Sequence, residues 1–177
     1  YWESYIAKYI RDENNILLTK DGQYFIKGKS GKKAKLIEVK TGKVAMEYIG
    51  HEKGVLSFDL SEDEELLLTG GGDGAAILWE KKTGKRLRTF KGHQHPIFDI
   101  HFSHDETKMV TTSWGGQTKV WDLTTGEVLS RIYFENSSAK RVQFSQNDLY
   151  LLIAKRDDSF EMYEIDSKQS VRQLVGH

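Results

Sequence analysis

Four histidines, His93, His95, His101 and His104, fall within one short segment, and clustered imidazoles are a zinc-binding composition. Their positions do not predict convergence on one ion. His101 alternates with Ile100 and Phe102, which read as core-facing, and His104 lies in the polar turn beyond them. No metal site is expected. The chain has no cysteine, which removes disulfides, zinc-thiolate sites and thiol nucleophiles together. Lys27-Gly28-Lys29-Ser30-Gly31-Lys32-Lys33 has the composition of a phosphate-cradling loop, but the spacing fails. Gly22 precedes Gly28 by six positions where that loop needs about five, and no helical pattern follows. The stretch reads as a solvated basic turn, although Lys29, Lys32, Lys33 and Lys35 could contact a polyanion. Asn136-Ser137-Ser138 matches a glycosylation acceptor as a short chance match. No Ser/His/Asp or paired-carboxylate set has a recognisable context. The chain is expected to be no enzyme and to need no cofactor.

Composition narrows the partners. The 177 residues carry 26 Lys and Arg against 26 Asp and Glu, a net charge of zero. That balance argues against a general electrostatic grip on nucleic acid or an anionic membrane. No apolar run approaches the roughly 20 residues needed to span a bilayer, so no membrane insertion is expected. The chain opens on Tyr1 without a charged-then-apolar leader, and reads as a soluble, cytoplasmic piece of something longer.

The elements that would position any site come from a repeat. Trp79 and Trp121 lie 42 residues apart, and the same stride reaches Ile37 and Tyr163. It carries Gly50-His51 to Gly92-His93 and later to Gly176-His177, and Thr41-Gly42 to Thr83-Gly84 and Thr125-Gly126. Within one unit, Val55, Phe58 and Leu60 are spaced three and then two, where strict alternation would give twos. One extra residue implies a β-bulge, repeated at Ile97, Ile100, Phe102 and at Ala139, Val142, Phe144. Leu66-Leu67-Leu68 suits a strand buried on both faces, and Gly70-Gly71-Gly72-Asp73-Gly74 predicts a tight hairpin. A third strand ends at Trp79, Thr83-Gly84 turns, and Leu87 to Phe90 forms a fourth. Turn density excludes helix.

Gly-His, a bulged strand, Leu-Leu-Thr-Gly-Gly-Gly-Asp-Gly, then Ile77-Leu78-Trp79-Glu80 resembles the WD-repeat β-propeller family, over about residues 12 to 177. Trp121-Asp122 is the signature dipeptide itself. The resemblance implies an all-β propeller of four-stranded antiparallel blades, with about four 42-residue repeats present from a seven- or eight-bladed ring. Blades are expected at 12–49, 50–91, 92–133 and 134–175. Residues 1–11 would be the outer strand of a preceding incomplete blade, or a helix, since Trp2, Tyr5, Ile6, Tyr9 and Ile10 share a helical face. Residues 176–177 would open a further repeat. The remainder of a larger chain, or a second copy, would close the ring.

The resemblance also implies a buried hydrogen-bonded network in each blade, joining a His, a Ser or Thr, an Asp and the Trp. Only the second unit matches throughout, with His51, Thr69, Asp73 and Trp79. The third offers His93, Thr111 and Trp121 but has Gly115 at the Asp position. The fourth has Asp157 with Glu135, Ile153 and Tyr163 elsewhere. These residues are expected to be structural. Partner-binding positions on one rim would be Leu56 and Gly72, Phe98 and Trp114, Lys140 and Arg156. The function implied is a non-enzymatic scaffold that binds a protein or peptide through its rim. The alternatives are a sensor region of a larger multidomain protein, or polyanion binding by the Lys-rich 27–35 hairpin.

Overall fold

Short β-branched and aromatic runs, broken every few residues by Gly, Asp, Ser and Thr, leave each backbone segment one ready partner: the run that follows the turn. A computed structural model describes residues 16–28, 31–134 and 139–174 of the chain. The expectations for residues 1–15, Lys29, the Asn136-Ser137-Ser138 acceptor and Gly176-His177 fall outside the described residues.

Among the described residues every regular element is a strand. The first sheet is β1 (Ile16–Leu18), β2 (Tyr24–Lys27), β3 (Lys33–Glu38) and β4 (Val44–Ile49). The second is β5 (Val55–Leu60), β6 (Leu66–Gly71), β7 (Ala75–Glu80) and β8 (Arg86–Lys91). The third is β9 (Ile97–Phe102), β10 (Lys108–Ser113), β11 (Gln117–Asp122) and β12 (Val128–Tyr133). The fourth is β13 (Ala139–Phe144), β14 (Tyr150–Lys155), β15 (Phe160–Glu164) and β16 (Gln169–Leu174). Each sheet is antiparallel, with its strands in chain order. Trp79 on β7, Trp121 on β11 and Tyr163 on β15 occupy equivalent strands.

The bulges fall where the apolar spacing put them. Pairing of β5 with β6 skips Leu56, pairing of β9 with β10 skips Phe98, and pairing of β13 with β14 skips Lys140. A bulged residue leaves the ladder and its side chain is re-aimed, so the extra residue in each first strand is the one offered to the surroundings. A second series was not legible: the fourth strands skip Ala45, Leu87, Leu129 and Val171, again 42 apart.

Three apolar layers separate the four sheets. Trp79 packs with Ile26, Ala34, Tyr48 and Val55 between the first two sheets. Trp121 packs with Leu68, Phe90 and Ile97 between the second and third, and Tyr163 with Val110, Ile132 and Val142 between the third and fourth. Tyr48 meets Trp79 edge-on at 5.8 Å, and Phe90, one stride later, meets Trp121 at the same 5.8 Å. Polar stitches run along another edge. Glu64, Glu106 and Asp148 all adopt positive φ, at 58°, 55° and 56°. Their carboxylates accept the backbone N–H of Lys20, Glu62 and His104 in the preceding sheet.

One expectation needs correction. Gly70 and Gly71 are not hairpin residues but the last two of β6, and of the Gly70–Gly74 run only Gly74 has positive φ, at 76°. Gly71 is small for a different reason. A Cβ there would overlap Asp73 Oδ1 and His51 Nδ1.

Candidate functional site

Thr69 sits at the centre of the second sheet with 0 % exposure, and every buried polar group around it must find a partner. Trp79 Nε1 donates to Thr69 Oγ1 at 2.8 Å, and His51 Nε2 lies 2.8 Å from the same oxygen. The ionised Asp73 carboxylate only accepts, so His51 Nδ1, 3.1 Å away, carries the proton of the neutral imidazole. Nε2 is then the acceptor for the Thr69 hydroxyl. Asp73 also accepts from the backbone N–H of Glu52 at 2.7 Å and Ala75 at 3.1 Å. Burial works against its charge, but those amides and His51 hold its pKa below the usual carboxylate value.

The third sheet keeps half of this arrangement. Trp121 Nε1 donates to Thr111 Oγ1 at 2.7 Å, and His93 Nε2 lies 2.8 Å from it. His93 Nδ1 is buried without a hydrogen-bond partner among the described residues. Burial, then Lys119, push the His93 pKa down to about 3, with the nearby Gln117 amide only partly opposing, so the ring is neutral. Two substitutions explain the lost carboxylate. Ser113 stands at the Gly71 position, where a Cβ overlaps the carboxylate site, and Gly115 replaces Asp73. In the fourth sheet Asp157 accepts from the Ser159 backbone at 3.1 Å and its hydroxyl at 2.6 Å, capping the turn. Tyr163 there reaches Ser130 of the third sheet at 3.2 Å.

At the bulged ends of the first strands the side chains face outward. Trp114 is 62 % exposed, and the Arg156 guanidinium lies 4.4 Å from its ring centroid. The same guanidinium lies 5.8 Å from the Phe98 ring. Phe98, Trp114 and Arg156 therefore form one cluster across the third and fourth sheets. Lys140 is exposed on the β13 bulge. Leu56 and Gly72 form a separate pair on the second sheet, where a Cβ on Gly72 would lie 3.8 Å from Leu56 Cδ1.

The description "WD domain, G-beta repeat" matches residues 42–80 and 84–122, each running from a fourth or outer strand through the next sheet's third strand. Residues 42–80 and 84–122 are WD repeats. A comparison with curated proteins returns no match. WD repeats generally mediate protein–protein interaction and typically serve as non-enzymatic scaffolds. Among the described residues of this chain, no helix is long and apolar enough to cross a membrane.

The other candidate groups are dispersed over the sheets. Among the described residues no three His, Asp or Glu side chains are placed to hold a metal ion. On the basic hairpin, Lys33 and Lys35 both pair with Glu47, at 2.6 and 3.4 Å, which neutralises part of the charge offered to a polyanion. His101 has a role that its sequence position hid. It lies 3.5 Å from Asp59 on β5 and 3.3 Å from Asp99 on its own strand, and Arg141 on β13 lies 3.3 Å from Asp99. Asp59 also accepts the Phe102 N–H at 2.9 Å, and Asp99 the Val142 N–H at 2.8 Å. These charges clamp three first strands side by side.

Burial disfavours the His101 imidazolium, but the Asp59 and Asp99 carboxylates outweigh it and hold the pKa up at about 9. A folded-state pKa above the unfolded value contributes stability in full below about pH 6.5. That contribution disappears as pH rises through about 9. Urea midpoints should therefore fall between pH 6.5 and 9.5 in the wild type, and fall less in His101→Gln. Parallel pH profiles of the two proteins would refute the clamp.

Proposed function

We propose that this chain binds a protein or peptide segment through the cluster of Phe98, Trp114 and Arg156, with Lys140 alongside. The supporting observation is Trp114: a large aromatic side chain left 62 % exposed, with a guanidinium stacked on its face. Exposed aromatics are frequent interface anchors, and stacking restrains ring and cation before binding, which lowers the ordering cost of association. The bulge makes Phe98 available by removing it from the ladder. Rings supply desolvated area and the cations select register, so the segment best suited has an apolar anchor next to an acidic residue.

The test compares the intact protein with the Phe98→Ala/Trp114→Ala variant, using captured partners and titrating each for affinity. Binding should weaken by about 2 kcal/mol or more, roughly 30-fold, while the melting temperature is retained. Reversing Lys140 or Arg156 to glutamate should act mainly on the association rate and its salt dependence. Unchanged affinity of the double variant for every partner would place the binding surface elsewhere.

A further inference from the structure

One cross-strand position between the third and fourth strands is filled differently in each of the four sheets. In the first, Lys35 faces Glu47, and the pair lies 3.4 Å apart. In the second, Ile77 faces Thr89, which carries no charge. In the fourth, Glu161 faces Gln173 and is paired at 2.7 Å with Lys155. In the third, Lys119 faces Arg131. Like charges directly opposite on a sheet destabilise it, and here one of them is buried. Lys119 is 4 % exposed; its ammonium donates to the Gly92 carbonyl and lies 5.4 Å from the Trp121 ring. No carboxylate among the described residues is paired with Lys119 or Arg131.

Both cations line a cleft of about 480 Å³ together with Gln94, His95, Gln117 and Tyr133, and among the described residues no acidic side chain lines it. The aligned cleft of the second sheet contains Asp73, with Ile77 and Thr89 where the third has Lys119 and Arg131. At the aligned positions the third repeat replaces Glu52 and Asp73 by Gln94 and Gly115, and Arg86, Arg88 and Lys91 by Val128, Ser130 and Tyr133, so the facing pair Lys119 and Arg131 supplies its two cations with neither carboxylate retained. A Cβ on Gly115 would overlap the His95 ring, so a carboxylate at position 115 requires that ring to move aside. Ser113 blocks the original carboxylate position in the same way.

We propose that the cleft beside β11 and β12 binds a carboxylate supplied from outside the chain, held between Lys119 and Arg131. The volume admits a small free carboxylate or the side chain of an acidic residue in a peptide. An ammonium and a guanidinium can each donate to one of its two oxygens. Burial, and then Arg131 across the strand, lower the Lys119 pKa, and a bound anion would favour the charged ammonium by its opposite charge. Gly115 adjoins Trp114, so a peptide seated on the aromatic cluster could reach the cleft, but the site does not depend on that reading.

Titration of the isotopically labelled protein at constant pH and ionic strength tests this, following the amide signals of Gln94, Gln117 and Lys119. The probes are sodium acetate against sodium chloride, and acetyl-Gly-Glu-Gly-amide against acetyl-Gly-Gln-Gly-amide. Saturable shifts with acetate assign a small free carboxylate, and shifts only with the glutamate peptide assign a peptide side chain; either supports the site. The Lys119→Ile/Arg131→Thr variant installs the residues of the preceding repeat, and should lose at least tenfold in affinity while resisting denaturant no worse than the parent. Arg131→Thr alone, at an exposed position, gives the same test with the buried lysine intact. Phe98→Ala/Trp114→Ala should leave the acetate response unchanged, which separates this site from the rim. No carboxylate response beyond chloride, undiminished binding by the variants, or a stronger response to inorganic phosphate would overturn the proposal.

Discussion

Trp79→Ala is expected to lower the unfolding free energy by about 3–5 kcal/mol, the usual cost of truncating a large buried aromatic. Trp79 is 1 % exposed and fills the layer between the first two sheets against Tyr48. Its removal leaves a cavity that two sheets, each fixed by its own ladder, cannot collapse to fill. It also removes the donor to Thr69, at the centre of the buried polar network. Trp114→Ala removes an equally large ring from an exposed position, so its effect should be close to the surface value of about 0.5 kcal/mol, allowing for the lost Arg156 contact. Urea unfolding curves of the two variants decide the matter. Equal losses would mean that Trp114 supports the fold and is not available to a partner.

The second expected result is a coupling between Gly71 and Asp73. Gly71→Ser places a Cβ onto Asp73 Oδ1 and His51 Nδ1, an overpacking that costs about 1–3 kcal/mol. Asp73→Gly removes the acceptor for His51, Glu52 and Ala75, and charged hydrogen bonds of this kind are worth about 1.5–3 kcal/mol. The double variant reproduces Ser113 and Gly115 of the third repeat, where the overlap has no carboxylate to displace. Its loss should fall short of the sum of the two single losses by about 1 kcal/mol or more. Additive losses would show that the third repeat's two substitutions are independent of one another.

Phe98 shows how far the sequence reaches toward the candidate site. Its position on a bulge followed from the spacing of Ile97, Ile100 and Phe102, and β9 skips it in pairing with β10. What it faces did not follow. Arg156 belongs to a hairpin of the next sheet and approaches the Phe98 and Trp114 rings only because the third and fourth sheets pack together. His101 is the sharper case. Read alone it is a polar residue alternating with apolar neighbours, and its charge state is set by Asp59 on β5, Asp99 and the burial of both strands. The Lys119–Arg131 pair was equally silent, because a cross-strand partner depends on register, and register includes the unanticipated bulge at Leu129.

The sequence by itself determined the all-β class, the 42-residue period, the equivalence of Trp79, Trp121 and Tyr163, and the bulge in three first strands. Alternation, turn chemistry and repetition are local properties of a chain, and residues near one another in sequence suffice to state them. Only the tertiary structure decided which charges clamp Asp59 to His101 and Asp99 to Arg141, and which carboxylates stitch one sheet to the backbone of the one before. It also decided which aromatic ring stays open and which lysine is buried beside a second cation. Those outcomes depend on how neighbouring sheets are set against each other, since the partners lie on different strands, most of them about 40 residues apart. Their energies are determined by burial and distance, which no spacing along the chain contains.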